Sequence, residues 1–176
     1  MPNGISSLEL RTRDVGPWPM HTYAFVCAAT RRSVLIDPGA DPAALLEMLD
    51  GTKPEAILLT HTHADHVGAL AEMRSRLRVP LMAHRGPHVD DLMLDTDRVL
   101  ADGDVVEVGQ GTLRVYATPG HTADMLCFAD ESSGQIVVGD TLFAGGPGRT
   151  WSAGHFQTLL RTLREVVLRW PDDVIC

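Results

Sequence analysis

The sequence predicts an α/β protein in which helices cover the faces of β-sheets. Strand-type patterns alternate with helix-type patterns through both halves of the chain. Residues 56–59 form a short, wholly apolar run, as expected of a strand that is buried on both faces. The length of 176 residues suits one domain with its own hydrophobic core, and no linker divides the chain.

The first part of the chain predicts strands. Residues 5–13 alternate between apolar and polar, which indicates a half-exposed strand. Residues 22–28 and 33–36 are apolar runs joined by a short polar segment, a pattern typical of a β-hairpin. The sequence Asp37-Pro38-Gly39 then predicts a sharp turn.

Helix signals follow this turn. We expect Asp41 to cap a helix that has Pro42 in its first turn and ends at Gly51. Residues 67–77 have apolar side chains at helical spacing, and this helix ends before Pro80. Two shorter elements are predicted next, a strand at residues 79–83 and a helix at residues 87–94.

The second half is richer in strands. Apolar runs predict four of them, at residues 105–108, 112–117, 125–128 and 136–138. A long amphipathic helix is expected over residues 155–169. Residues 174–176 have the pattern of the start of another strand.

Composition and charge exclude several classes of function. Lys plus Arg number 15 and Asp plus Glu number 23, so the net charge is −8 at pH 7, which is unsuited to a nucleic-acid partner. The three cysteines are widely spaced and do not form a disulfide framework. We expect neither a signal peptide nor a membrane-spanning run, and therefore a cytoplasmic protein without a membrane partner. The sequence does not predict the oligomeric state.

The strongest chemical signal is the run His61-Thr62-His63-Ala64-Asp65-His66, directly after the buried strand. Imidazole and carboxylate groups are good ligands for zinc and similar ions. Four such side chains within six residues cannot share one helical face, but a loop at a strand end can bring His61 and His63 to one point. Asp65 and His66 can then face a neighbouring point. The pattern therefore predicts two adjacent half-sites for metal ions.

Two further residues at strand ends are suited to complete the half-sites. His121 lies in Gly120-His121-Thr122, and Asp140 lies in Gly139-Asp140-Thr141. In open α/β sheets, ligands bind beyond the carboxyl ends of the strands, which is where these residues fall. A carboxylate has two oxygens, so Asp140 can bridge two cations.

These segments resemble the motifs of the metallo-β-lactamase fold superfamily. The stretch Gly139-Asp140-Thr141-Leu142-Phe143, with Gly145-Gly146-Pro147-Gly148-Arg149 after it, looks most like the glyoxalase II (hydroxyacylglutathione hydrolase) branch. Ile36-Asp37-Pro38-Gly39 is similar to the first motif of the superfamily. The resemblance covers residues 23–176 and implies an αββα sandwich of the metallo-β-lactamase type, with the metals at one edge of the sheets.

The resemblance also implies a role for each site residue. It implies six metal ligands: His61, His63 and His121 for the first ion, Asp65 and His66 for the second, and Asp140 as the bridge. Asp65 additionally matches the catalytic acid–base residue, and Asp37 matches an acid that orients the ligands from behind. Arg149 matches a basic residue that contacts the substrate, since a guanidinium suits a carboxylate. The implied cofactors are two divalent ions, zinc first, with iron or manganese as alternatives.

Two departures from the family pattern affect these expectations. Family members continue past the last helix into a strand that ends in Pro-Gly-His-Gly, whose His completes the second metal site, whereas this sequence ends at Cys176. We therefore expect residues 1–176 to be one C-terminally truncated domain that lacks the last strand and helix and has an incomplete second site. The helical domain that supplies part of the glutathione site in larger glyoxalase II enzymes is also missing.

The function implied is hydrolysis of a small-molecule thioester, S-acylglutathione-like, by metal-bound hydroxide. A mononuclear iron persulfide dioxygenase is the alternative from another class, because its ligands match His61, His121 and Asp140, a 2-His-1-carboxylate set. Other hydrolases of this fold, such as a lactonase, and an inactive metal-binding fragment are further alternatives. The acidic charge argues against an RNA-processing nuclease.

Overall fold

The computed structural model describes residues 8–17 and 20–176, which form two β-sheets packed face to face. The first sheet has six strands in chain order: β1 (Leu8–Val15), β2 (Met20–Cys27), β3 (Arg32–Ile36), β4 (Lys53–Leu58), β5 (Leu81–His84) and β6 (Arg98–Leu100). The first three strands pair antiparallel and the rest pair parallel. The start of the predicted first strand, residues 5–7, lies outside the described residues.

The second sheet is antiparallel, and its strands are β7 (Val105–Val108), β8 (Gly111–Ala117), β9 (Leu126–Asp130) and β10 (Gln135–Val137). A two-stranded ribbon follows, formed by β11 (Leu142–Phe143) and β12 (Gly146–Pro147). The four predicted strands of this half are confirmed within one or two residues. Ile175 forms an isolated parallel bridge to Gln135, which agrees with the strand-like pattern at residues 174–176.

The helices lie on the outer sides of the two sheets. Those of the first half are α1 (Pro42–Met48), α2 (Ala64–Val67) and α3 (Leu70–Leu77), and α4 (Ala153–Glu165) follows the ribbon. Trp170 and Val174, after α4, pack on the outer face of β9 and β10. The layers are therefore helix, sheet, sheet, helix, and the predicted αββα sandwich is confirmed.

The alternation of side chains along the strands builds two separate cores. Val34 and Ile36 face the second sheet, where they share a buried cluster with Phe128, whereas Leu35 faces the helices and packs in a cluster with Leu45. All five are completely buried. Because successive side chains of a strand point to opposite faces, one apolar run supplies both layers.

Three predictions about helices were wrong in detail. The helix expected over residues 67–77 is two helices, because the N–H of Ala69 donates to Pro38 O at 2.9 Å rather than continuing the first helix. The helix expected over residues 87–94 is only a 3₁₀ turn, Val89–Asp91. Asp41 begins α1, but its carboxylate accepts the N–H of Gly16 at 2.8 Å and makes no side-chain cap.

Other boundaries also differ from the sequence pattern. Strand β6 was missed because it has only three residues, which is too short for an apolar pattern to indicate a strand. The last helix ends at Glu165 and a 3₁₀ turn, Val167–Arg169, follows it. Within the part of the chain that the structure describes, no helix has the length and apolar character needed to cross a membrane.

Candidate metal centre

Asp37 is the buried anchor of the site. It follows β3 with φ 54°, a left-handed conformation that Asp tolerates better than most residues. Its Oδ1 accepts the backbone N–H of Thr60 at 2.7 Å. Its Oδ2 accepts the Thr60 hydroxyl at 2.5 Å and lies 2.9 Å from Nδ1 of His66. One carboxylate therefore fixes the end of β3, the loop after β4 and helix α2 relative to each other, as expected for an acid that orients the histidines.

The hydrogen bonds behind the histidines determine which ring nitrogen carries the proton. His66 Nδ1 donates to Asp37, and His121 Nδ1 donates to the carbonyl of Arg149 at 2.7 Å. Because the Thr60 hydroxyl donates to Asp37, its oxygen accepts from His61 Nδ1 at 3.0 Å. In its neutral form, each of these three rings therefore presents an unprotonated Nε2 on its other side, the form in which imidazole binds metals.

These Nε2 atoms converge on His63 and Asp140. His63 Nδ1 lies 2.9 Å from His61 Nε2 and 3.0 Å from His121 Nε2. Asp140 Oδ2 lies 3.2 Å from His121 Nε2 and 3.9 Å from His61 Nε2. One donor atom from each of these four residues lies within 4.8 Å of the others. The structure thus brings together, from three loops, all the residues that the sequence predicts for the first metal ion.

His66 offers its Nε2 to the other oxygen of the same carboxylate. That atom lies 3.3 Å from Asp140 Oδ1, is buried and makes no hydrogen bond among the described residues. A buried polar atom without a partner costs about 1–3 kcal/mol, so the arrangement is incomplete as it stands. The imidazole lone pairs and the Asp140 carboxylate face one another, so they need positive charge between them. The residues present therefore fit divalent cations on both sides of Asp140.

The pKa values agree with this imbalance of charge. Burial lowers the pKa of His61 to about 2, so this ring is neutral. Burial also opposes the charge on His66, but the carboxylates of Asp140 and Asp37 outweigh it and raise the pKa of His66 to about 10. For Asp140, burial is outweighed by the imidazoles of His121 and His66, which hold its pKa well below the usual range. A proton on His66 thus provides part of the compensation that a cation would provide.

Asp65 is the one predicted ligand that lies outside the cluster. It is exposed in the first turn of α2, and its carboxylate is in neither group of converging donor atoms. The second such group consists of Asp37, His61 and His66. Since the Asp37 oxygens already accept three hydrogen bonds, Asp37 is better suited to hold the ligands than to bind the ion. The roles of Asp65 as ligand and as acid–base residue stay predictions.

A buried hydrogen bond connects the two loops of the second sheet that supply ligands. Thr118, before the His121 loop, and Thr141, next to Asp140, have hydroxyl groups 2.8 Å apart and are completely buried. Gly148 packs on the same loop, where a Cβ atom would collide with the carbonyl oxygen of Asp140. Neither contact is visible in the spacing of the motifs.

Arg149 acts on the cluster through its backbone. Its carbonyl oxygen is the acceptor that orients His121, while its exposed side chain lies over the ring of Trp151 at 4.2 Å. The backbone contact is independent of the side chain. The substrate contact expected of the guanidinium stays a prediction.

A cavity of about 530 Å³ opens beside the cluster and is large enough for a small organic ligand. His63 and His121 of the cluster line it, together with His88, Trp151 and His155. Sequence reasoning gave His88 and His155 no role in the site, because they have neither ligand spacing nor a shared motif. Only the fold brings the loop after β5 and the start of α4 to the same cavity.

The comparisons with known proteins agree with this geometry. The model of the Metallo-beta-lactamase superfamily matches residues 16–175. The chain is 36% identical to a hydroxyacylglutathione hydrolase of Salmonella arizonae over 147 residues and 38% identical to one of Rhodopseudomonas palustris over 151 residues. Each alignment covers 82% of this chain but only 56% of the relative, so the chain spans about half the length of these hydrolases.

Solved structures with the same fold include two that are at least 28% identical to this chain. ETHE1 from Myxococcus xanthus is 29% identical with a TM-score of 0.82, and the match covers 94% of this chain and 72% of that one. TTHA1623, crystallised in a di-iron-bound form, is 28% identical with a TM-score of 0.75, covering 93% of this chain and 88% of that one.

Proposed function

The chain belongs to the metallo-beta-lactamase superfamily, and from that premise we propose that it is a metal-dependent hydrolase of thioesters, with S-acylglutathione-like compounds as the first substrate class. The observation that carries the proposal is the convergence of His61, His63, His121 and Asp140 beside a cavity of about 530 Å³. The similarity to two hydroxyacylglutathione hydrolases supports the choice of a thioester.

The residues of the chain prepare this chemistry in three ways. The hydrogen bonds at Nδ1 of His61, His66 and His121 hold the rings with Nε2 available for divalent ions, of which zinc is our first choice. Such ions, when bound, polarise a carbonyl group and lower the pKa of water to about 7. Asp140 presents one oxygen to each side, and Asp65, exposed at the start of α2, is proposed to orient the attacking water and to accept its proton.

His66 favours two ions rather than one. Its Nε2 is buried, unpaired among the described residues and 3.3 Å from the Asp140 oxygen that faces away from His121. The di-iron form of TTHA1623 supports the capacity of a similar chain for two ions. If Asp65 turns toward His66, the second ion gains a third ligand from this chain.

The second candidate function is that of a persulfide dioxygenase with a single iron. His61, His121 and Asp140 alone provide the 2-His-1-carboxylate set that this chemistry uses. The similarity to ETHE1, a protein of that class, favours it. This set does not need His66 as a ligand, so the two candidates differ in the predicted number of ions.

One experiment separates the two functions. The purified chain is loaded with zinc or with ferrous iron, its metal content is measured, and hydrolysis of S-lactoylglutathione is compared with oxygen uptake on glutathione persulfide. We expect near two ions per chain and thioester hydrolysis that a chelator abolishes. One iron with oxygen uptake and little hydrolysis would establish the dioxygenase instead. His121→Ala should lose both metal and activity, whereas His21→Gln, at an exposed histidine outside the cavity, should keep both.

A further inference from the structure

A second group of polar side chains lies beside the metal centre and is not part of it. Asp124, in the loop between β8 and β9, has a side chain that is only 1% exposed. Its Oδ2 accepts the hydroxyl of Thr62 at 2.6 Å and lies 3.2 Å from Nδ1 of His88. The oxygen of Thr62 accepts the N–H of Val89 at 2.9 Å, which leaves its own proton for Asp124. The carboxylate therefore has two donors, and one of them is an imidazole.

The hydrogen bond to Asp124 determines the tautomer of His88. An ionised carboxylate only accepts, so Nδ1 of His88 carries the proton and Nε2 carries a lone pair. Within the described residues Nε2 makes no hydrogen bond, and it is not among the buried unpaired atoms, so it is accessible. His88 also lines the cavity that contains His63 and His121. The free nitrogen is thus available to a molecule bound in that cavity.

The other oxygen of Asp124 indicates what this pair can do. Oδ1 is buried and has no hydrogen-bond partner among the described residues. A buried carboxylate is costly unless positive charge compensates it, and a second proton on His88 would place that charge next to it. A histidine oriented by a buried carboxylate is the arrangement in which imidazole acts as an acid or base.

We propose that His88 and Asp124 form an acid–base dyad that serves the cavity. His88 is the residue that exchanges a proton with the substrate through Nε2, and Asp124 is a positioning residue that holds Nδ1. The inference rests on the proposed thioester hydrolysis. There, water adds to the carbonyl carbon, the C–S bond breaks with its electron pair on sulfur, and the imidazolium of His88 gives its proton to that sulfur. Asp65 holds the proton that the added water has lost, and the return of this proton through solvent to the neutral imidazole restores both groups.

The dyad can be tested by changing the leaving group. An alkyl thiolate is a strong base and benefits from protonation as it leaves, whereas an aryl thiolate leaves without it. We expect His88→Gln to lower kcat/KM for an alkyl thioester by about 100-fold, the usual scale of general acid catalysis. For the aryl thioester, kcat/KM should change much less. In Asp124→Asn the amide oxygen can take the place of Oδ2 and keep both hydrogen bonds while the charge is lost, so the same pattern is expected.

The control is an Asp–His pair that lies outside both the metal centre and the cavity. Asp14 Oδ1 and His21 Nδ1 are 2.5 Å apart, but both side chains are more than half exposed and neither lines the cavity. His21→Gln should therefore leave kcat/KM unchanged for both thioesters. Metal content is measured in every variant. If His88→Gln lowered kcat/KM equally for the alkyl and aryl thioesters, or did not lower it at all, the dyad would be overturned.

A spectroscopic readout keeps the dyad distinct from the proposed function. Long-range ¹H–¹⁵N correlation spectra of the ¹⁵N-labelled chain report which ring nitrogen of His88 carries the proton, with His88→Gln assigning the signals. We expect Nδ1–H in the neutral ring, because Nδ1 faces the carboxylate of Asp124. A proton on Nε2 of the neutral ring would overturn the dyad, even if neither thioester were a substrate. If His88 had the expected tautomer but the chain hydrolysed neither thioester, only the proposed function would be refuted.

Other titratable groups near His88 are the same in the unchanged chain and in Asp124→Asn, so they do not account for a difference in activity between the two. Burial lowers the pKa of His84, and Asp124, His88 and Arg85 all act on it. The remaining groups line the cavity: His63, Asp90, His121 and His155.

Discussion

Replacing Asp37 with Asn tests whether this buried carboxylate prepares the histidines for metal. Three donors converge on its two oxygens: the N–H of Thr60 on Oδ1, and the Thr60 hydroxyl and His66 Nδ1 on Oδ2. An amide has one oxygen, so in either orientation at least one buried donor faces the NH₂ group. Asn tolerates φ 54° as Asp does, and the backbone should therefore stay as it is.

The magnitude follows from the hydrogen bonds that the amide cannot accept. A buried donor without an acceptor costs about 1–3 kcal/mol, and we expect the free energy of unfolding of the metal-free Asp37→Asn chain to fall by about that amount. Removing the hydrogen-bond partner behind a metal ligand lowers metal affinity by about 10–100-fold. That decrease corresponds to about 1.4–2.7 kcal/mol of binding free energy.

Two measurements check this prediction. Metal affinity is obtained by competition with a chromogenic chelator, and stability by urea unfolding of the metal-free chain followed by circular dichroism. Asp14→Asn, which alters the exposed pair with His21, is the matched control and should change stability by less than about 1 kcal/mol. If Asp37→Asn bound zinc as tightly as the unchanged chain, Asp37 would not be what holds these rings in their binding tautomer.

Three further substitutions test other parts of the structure. Gly148→Ala places a Cβ against the carbonyl of Asp140, so metal content measured by elemental analysis should fall; full occupancy would show that the loop yields easily. Arg149→Ala keeps the carbonyl that orients His121, so metal content should be unchanged while the KM for an anionic thioester rises; an unchanged KM would remove the guanidinium from the substrate site. Phe128→Ala empties a completely buried position between the sheets and should cost about 3–5 kcal/mol in urea unfolding; a cost under about 1 kcal/mol would mean that this core is loosely packed.

The candidate ligand set was predictable because its signal is local. His61, His63 and His66 crowd into six residues after a buried strand, where only a metal site readily explains so many ring nitrogens. Predicting His121 and Asp140 required the resemblance as well as their positions at strand ends. The structure then brings all five side chains together. Asp65 shows the limit of that reasoning, because membership of the motif does not determine where a side chain points in the first turn of a helix.

The errors in the fold have a common physical origin. Residues 67–77 have one helical pattern, yet the structure has two helices, since the backbone at Ala69 bonds to Pro38 from a distant loop. Strand β6 pairs through its backbone with β5 although its side chains are mostly exposed. In each case hydrogen bonds between distant segments decided the outcome, and side-chain periodicity carries no information about such bonds.

The sequence by itself determined the layered α/β architecture and the identity of the candidate metal-binding side chains, because both depend on hydrophobic pattern and on chemical type along short stretches. Tertiary structure alone decided which nitrogen each imidazole presents, since that depends on Asp37, Thr60 and the carbonyl of Arg149, which are distant from most of the rings that they orient. It also decided that His88 and Asp124, 36 residues apart, meet beside the cavity. Contacts of this kind are set by how the two sheets pack against each other, and no local pattern encodes them.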